Sequence, residues 1–185
     1  MHSEIIMLTD VSGSMNKIDR ATCEGFNSFI AEQQGVPGTA NVTYIRFNTF
    51  WTVDYCGPIE KMSLLRSLAA SGGTALYDSL VEVINKYRQQ LRHTDAQVIF
   101  VILTDGEDLN SRRHNARSCA THVNAARADG WQFVFLGANI DAEETASSLG
   151  IDRSLAYQFT ASDAGTRVVY AQASATTRAM RSWGL

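Results

Sequence analysis

Short runs of consecutive apolar residues alternate along the chain with stretches in which apolar positions recur every three or four residues. The first pattern suits strands covered on both faces and the second suits amphipathic helices, so together they predict an α/β sheet with helices on both faces. Residues 4–9 form the first predicted strand, and residues 16–34 a helix with Ile18, Phe26, Phe29 and Ile30 on one face. Residues 42–47 and 50–55 are two β-rich runs joined by Asn48-Thr49, a link that suits an antiparallel hairpin and makes one of them an edge strand. Cys56-Gly57-Pro58 is expected to break the chain there. Residues 75–91 return to helical spacing through Leu76, Leu80, Val83, Ile84, Tyr87 and Leu91. Residues 98–103 contain no polar side chain, as a central strand requires. A helix over residues 115–129 ends at Gly130, a buried strand over 133–136 leads into Gly137-Ala138-Asn139, and a short helix over 143–149 stops at Gly150. Residues 155–159 read as the last strand, and Ser162-Asp163 as the cap of a final helix running close to the C-terminus.

Composition narrows the class. A chain of 185 residues without linker, low-complexity tract or repeat is expected to form one domain over residues 1–185. Apolar residues at 45% and charged residues at 19% are ordinary for a soluble protein, and a net charge of −3 offers nucleic acid no electrostatic attraction. Arg112, Arg113 and Arg117 read as a solvated helix face. Cys23, Cys56 and Cys119 are odd in number and contain no Cys-x-x-Cys pair, so neither a disulfide framework nor a zinc site is expected, and a reducing cytoplasm is the simpler setting. Glu4 interrupts any signal-peptide pattern, and no apolar run approaches the ~20 residues of a membrane helix.

The chemistry concentrates in Asp10-x-Ser12-x-Ser14, directly after the first strand. Alternate side chains in a tight loop can turn toward one point, and Gly13 relieves crowding in that turn. Two further oxygen donors stand downstream, Thr74 after Gly72-Gly73 and Asp105 after the central strand. Both aspartates follow apolar strands, and in an open parallel sheet ligands bind beyond the carboxyl ends of the strands. Hard oxygen donors without His or Cys suit Mg²⁺ or Mn²⁺ rather than zinc. Two carboxylates neutralise a divalent ion, three hydroxyls leave it electrophilic, and a carboxylate from another molecule can replace one of its waters.

The set Asp10, Ser12, Ser14, Thr74 and Asp105 resembles the complete metal-ion-dependent adhesion site of von Willebrand factor A-type domains. The resemblance includes the flanks Asp-Val-Ser-Gly-Ser-Met and Ile-Leu-Thr-Asp-Gly-Glu and runs from the first strand to the final helix. Residues 135–142 are similar to those of small stand-alone bacterial members, which suggests a bacterial or bacteriophage source. The resemblance implies a Rossmann-like, doubly wound, mostly parallel sheet with one antiparallel edge strand and helices on both faces. It also implies direct metal contacts from Ser12 and Ser14, direct or water-mediated ones from Thr74 and Asp105, and hydrogen-bonded or water-mediated support from Asp10. In some relatives the last helix moves when a ligand carboxylate binds; here that helix carries Ala171, Ala173, Ala175 and Ala179.

Other residues have plainer readings. Glu107 and Asp108 suit a solvated turn, with a role at the rim of the site, shared with Arg112, as the sharper alternative. His114 and His122 read as surface histidines on one helix, Tyr77 as a core residue, and Asn139 and Asp141 as helix-start residues. A metal-dependent phosphatase or hydrolase is the alternative function. Against it, Ser12 stands where a haloacid-dehalogenase-type phosphatase needs a second Asp, no Gly-Lys pair supplies a P-loop, and no Gly-x-Ser-x-Gly elbow is present. A third reading gives the metal only a loop-stabilising role. The expected function is a non-enzymatic, cytoplasmic module whose Mg²⁺ or Mn²⁺ captures an Asp or Glu carboxylate of a partner protein.

Overall fold

The computed structural model describes residues 2–182. Strands and helices alternate as β1 (His2–Asp10), α1 (Asp19–Gln34), β2 (Thr39–Phe47), β3 (Trp51–Pro58), α2 (Leu76–Leu91), β4 (Gln97–Thr104), α3 (Ala116–Ala128), β5 (Gln132–Ala138), α4 (Ala142–Ser148), β6 (Ala156–Phe159) and α5 (Asp163–Ser182). They build a six-stranded sheet in the order β3-β2-β1-β4-β5-β6. Every neighbouring pair is parallel except β2 and β3, so β3 is the antiparallel edge. The chain winds outward from β1 to β3, crosses back, and winds outward again from β4, which places the topological switch point between β1 and β4.

The unbroken apolar runs follow from burial on two faces. Ile5 and Met7 of β1 join Ile99, Val101 and Leu103 of β4 in one core layer, covered by Phe26 and Phe29 of α1 and by Val169 and Tyr170 of α5. Ile6 and Leu8 join Val98, Phe100 and Ile102 in the opposite layer, covered by Leu80 and Ile84 of α2 and Val123 of α3. With successive side chains pointing to opposite faces, only a sequence apolar at every position satisfies both layers.

Several boundaries differ from the sequence expectation. Residues Gly13–Ile18 form a 3-10 turn, and α1 begins at Asp19 rather than at residue 16. The Asn16 amide donates to the carbonyls of Gly13 and Ala70 (3.0 and 3.1 Å), which ties this tight turn to a distant loop. Cys56-Gly57-Pro58 does not break the chain. Those residues pair with Thr43, Val42 and Asn41, and Pro58 is tolerated because β3 is an edge strand. Arg112 and Arg113 precede α3, so they form no helix face, and Arg113 is ion-paired with Asp78 and Glu82. The expected starts of the last two helices are capped, Asp141 Oδ1 accepting from Glu144 N–H and Ser162 Oγ from Gly165 N–H, and Asn115 Oδ1 caps α3 by accepting from Ser118 N–H.

Candidate metal centre

Asp10 ends β1 and is fully buried. Its Oδ1 accepts the backbone N–H of Ser12 and its Oδ2 accepts the hydroxyl of Thr104, both at 2.7 Å. Thr104 is the last residue of β4, so this second bond spans the switch point. The Ser12 and Ser14 hydroxyls share a hydrogen bond of 3.1 Å, and the Ser14 hydroxyl donates to Asp105 Oδ1 at 2.7 Å. A continuous polar chain therefore joins the β1 loop to the β4 loop, and it contains four of the five oxygen-bearing side chains expected there.

Thr74 arrives by a different route. Its loop is fastened to the first loop by Gly13 N–H to Gly72 O (3.0 Å) and Ser71 N–H to Val11 O (2.8 Å). The Asn48 side chain donates to Ser71 O, and Ala75 N–H donates to Asn48 O. On the other side Asn110 Oδ1 accepts Thr74 N–H at 2.8 Å, while Thr74 O accepts the N–H groups of Leu109 and Asn110. Gly72 adopts a positive φ of 77°, and any Cβ on Gly73 would overlap the Asn110 amide. The pair of glycines thus lets the loop pass between its two fasteners. No hydrogen bond joins the Thr74 hydroxyl to the other four side chains among the described residues.

Burial raises the Asp10 pKa, the Ser12 and Thr104 hydrogen bonds oppose that shift, and the negative charge of Asp105 adds to it. The negative charges of buried Asp10 and half-buried Asp105 repel each other, and a divalent cation relieves that repulsion. Among the described residues no group of three or more His, Cys, Asp or Glu side chains is placed to hold a metal. A cation here would rest on two carboxylates and neutral hydroxyls, a donor set that fits a hard divalent ion.

No protein-family profile and no curated protein matches the sequence. Solved structures do. Proximal thread matrix protein 1 of the mussel byssus, in a form with a zinc-occupied MIDAS motif, superposes with a TM-score of 0.69 at 15% identity over 96% of this chain and 46% of that one. A von Willebrand factor type A protein from Catenulispora acidiphila gives a TM-score of 0.64 at 15% identity, over 96% of this chain and 43% of that one. This is the von Willebrand factor type A fold. The pilus adhesin SpaC from Lactobacillus rhamnosus GG shares it, with a TM-score of 0.71 at 13% identity over 95% of this chain and 30% of that one. This chain thus spans less than half the length of each of these three proteins.

Within the type A fold, several working residues escaped the sequence reading. Thr104, Asn48 and Asn110 hold the loops together, yet each looks like ordinary strand-end or turn chemistry until the loops are in space. Asp108 is more than a solvated turn: its Oδ2 accepts Tyr77 N–H (2.9 Å) and the Ser111 hydroxyl (2.6 Å). Together with Ser111 Oγ, which accepts Asp78 N–H, it caps α2 from a remote loop, where the local residue Ala75 has no side chain to do so. His114 lies before α3, with its ring 6.2 Å from that of His122 and its Nδ1 2.9 Å from Ser118 Oγ. Tyr77 packs against the core as expected.

Proposed function

We propose that residues 1–185 form one metal-dependent protein-binding domain in which Mg²⁺ or Mn²⁺, held by Asp10, Ser12, Ser14, Thr74 and Asp105, captures an Asp or Glu carboxylate of a partner protein. The observation that carries this reading is the bridge from Ser14 to Asp105, which brings hydroxyl and carboxylate oxygens from two loops to one point at the switch of the sheet. The mussel protein of the same fold holds zinc in its MIDAS motif. The all-oxygen donors here favour a harder ion. When bound, the metal supplies a Lewis-acidic position for the incoming carboxylate; the chain's own groups orient it and keep Asp10 dehydrated. The described histidines stand elsewhere, His2 at the start of β1, His93 after α2, and His114 and His122 at α3, which argues against a serine–imidazole hydrolase. The cysteines are unpaired and Cys56 is exposed, a pattern suited to work in a reducing cytoplasm.

Calorimetric titration with Mg²⁺, Mn²⁺ and Zn²⁺ tests the reading. The wild type is expected to bind Mg²⁺ or Mn²⁺ at one site, and Asp10→Ala and Asp105→Ala to lose that binding while keeping a native circular dichroism spectrum. Unchanged Mg²⁺ affinity in either variant would refute the assignment. Magnesium-dependent turnover of a phosphoester, abolished by Asp10→Ala, would favour the phosphatase alternative.

A further inference from the structure

His114 and His122 each stand four residues from Ser118, a spacing that puts side chains on one helix face. Asp78 accepts the His114 N–H at 2.8 Å, which fixes the backbone of the first histidine just before α3. The two half-buried rings lie 6.2 Å apart between centres and are nearly perpendicular. His114 Nδ1 is engaged by the Ser118 hydroxyl at 2.9 Å, and its Nε2 has no partner among the described residues. A metal-bound imidazole has this same division, one nitrogen oriented by an outer partner and the other free for the ion. Two imidazole nitrogens about 2.0–2.1 Å from one tetrahedral ion put their ring centres about 5–5.5 Å apart. Closing the pair from 6.2 Å therefore takes a shift of under about 1 Å, within reach of small side-chain rotations.

The electrostatic setting agrees with the geometry. Burial first, and then the charges of His114 and Arg88, lower the His122 pKa, which favours the neutral ring that a metal requires. Arg88 is paired with Asp129, and Arg113 with Asp78 and Glu82, so neither neighbouring cation stands uncompensated. Among the described residues no third His, Cys, Asp or Glu joins the pair, which leaves the other coordination positions to water.

We propose that His114 and His122 form a second metal site, for a borderline transition ion such as Zn²⁺, Ni²⁺ or Cu²⁺. Imidazole suits these ions, whereas the hydroxyl and carboxylate oxygens at the switch point suit Mg²⁺, so the two sites sort ions by donor type. The inference goes beyond the metal-dependent binding proposed above and does not depend on it.

The test titrates Zn²⁺ into the full chain at neutral pH in excess Mg²⁺ and follows the histidine ring resonances by NMR. The His114 and His122 rings are expected to shift together along one binding curve. His114→Ala and His122→Ala, with native circular dichroism spectra, are each expected to weaken that curve at least roughly 10-fold and to leave Mg²⁺ affinity unchanged. A shift of only one ring of the pair, or none at millimolar Zn²⁺, overturns the site. So does an unchanged Zn²⁺ affinity at the remaining ring in either variant. Failure of Mg²⁺ to bind the wild type would overturn the first metal reading alone, since the ring shifts report on the histidines directly.

Discussion

At the scale of single residues, the carboxylates in this protein divide by what holds them. Asp10 is buried with two hydrogen bonds and a negative neighbour, a combination suited to receiving a cation. Asp78 is structural. Burial works against its charge, but the backbone N–H groups of Arg112, Arg113 and His114, with the Arg113 guanidinium, outweigh it and hold its pKa below the usual carboxylate range. A carboxylate with a lowered folded-state pKa stabilises the fold above its unfolded value of about 3.9, and that contribution is lost as pH falls through the folded value. Asp78→Asn is therefore expected to cost about 1.5–3 kcal/mol at neutral pH, with the gap from wild type shrinking below about pH 4. Urea unfolding at neutral and acidic pH measures this; a gap that stays constant would place the effect in packing instead of charge.

Among the elements, α1 and α5 meet at Gly25 and Tyr170. A Cβ at Gly25 would run into the buried Tyr170 ring. Further along, the Gln33 amide donates to the carbonyl and hydroxyl of Ser174, and Arg181 donates to Gln33 O at 2.6 Å. The alanine-rich stretch of α5 is thus fixed to α1 by a notch and by buried polar ties. Gly25→Ala sets a gain in helix propensity of about 0.8–1.0 kcal/mol against an overpacking cost of about 1–3 kcal/mol. The clash is expected to win, with a net loss of about 1 kcal/mol and a lower melting temperature by calorimetry. A more stable variant would show that the Tyr170 ring yields.

The whole molecule places its chemistry where the sheet changes direction. β1 and β4 lie side by side although much of the chain separates them, and their loops meet because neighbouring parallel strands end at the same level. A metal that binds only this assembled arrangement stabilises the fold by mass action. At free Mg²⁺ near 100 times its dissociation constant the gain is about 2.7 kcal/mol, or roughly 5–10 °C in melting temperature for a chain of this size. Differential scanning fluorimetry is expected to show that rise in the wild type, its reversal by chelator, and no rise in Asp10→Ala. An equal rise in the variant would move the ion to another place.

The sequence by itself determined the alternation of strands and helices, because each element's burial is written in a local period. Residues 98–103 read as a central strand, and the Asn48-Thr49 link made one of the two strands it joins an edge; that the edge is β3 came from the sheet. The oxygen donors were also legible, since Asp10-x-Ser12-x-Ser14 is a local pattern and Thr74 and Asp105 stand at recognisable element ends. Only the tertiary structure decided which groups hold those donors. The hydrogen bonds from Thr104 to Asp10, the fastening of the Thr74 loop by Asn48 and Asn110, and the capping of α2 by Asp108 and Ser111 are contacts between loops far apart in the chain. Pro58 misled for the same reason: its local chemistry says stop, while its place on a sheet edge lets the strand continue. Such contacts depend on distances set by strand order, and strand order is a property of the packed sheet that no local period encodes.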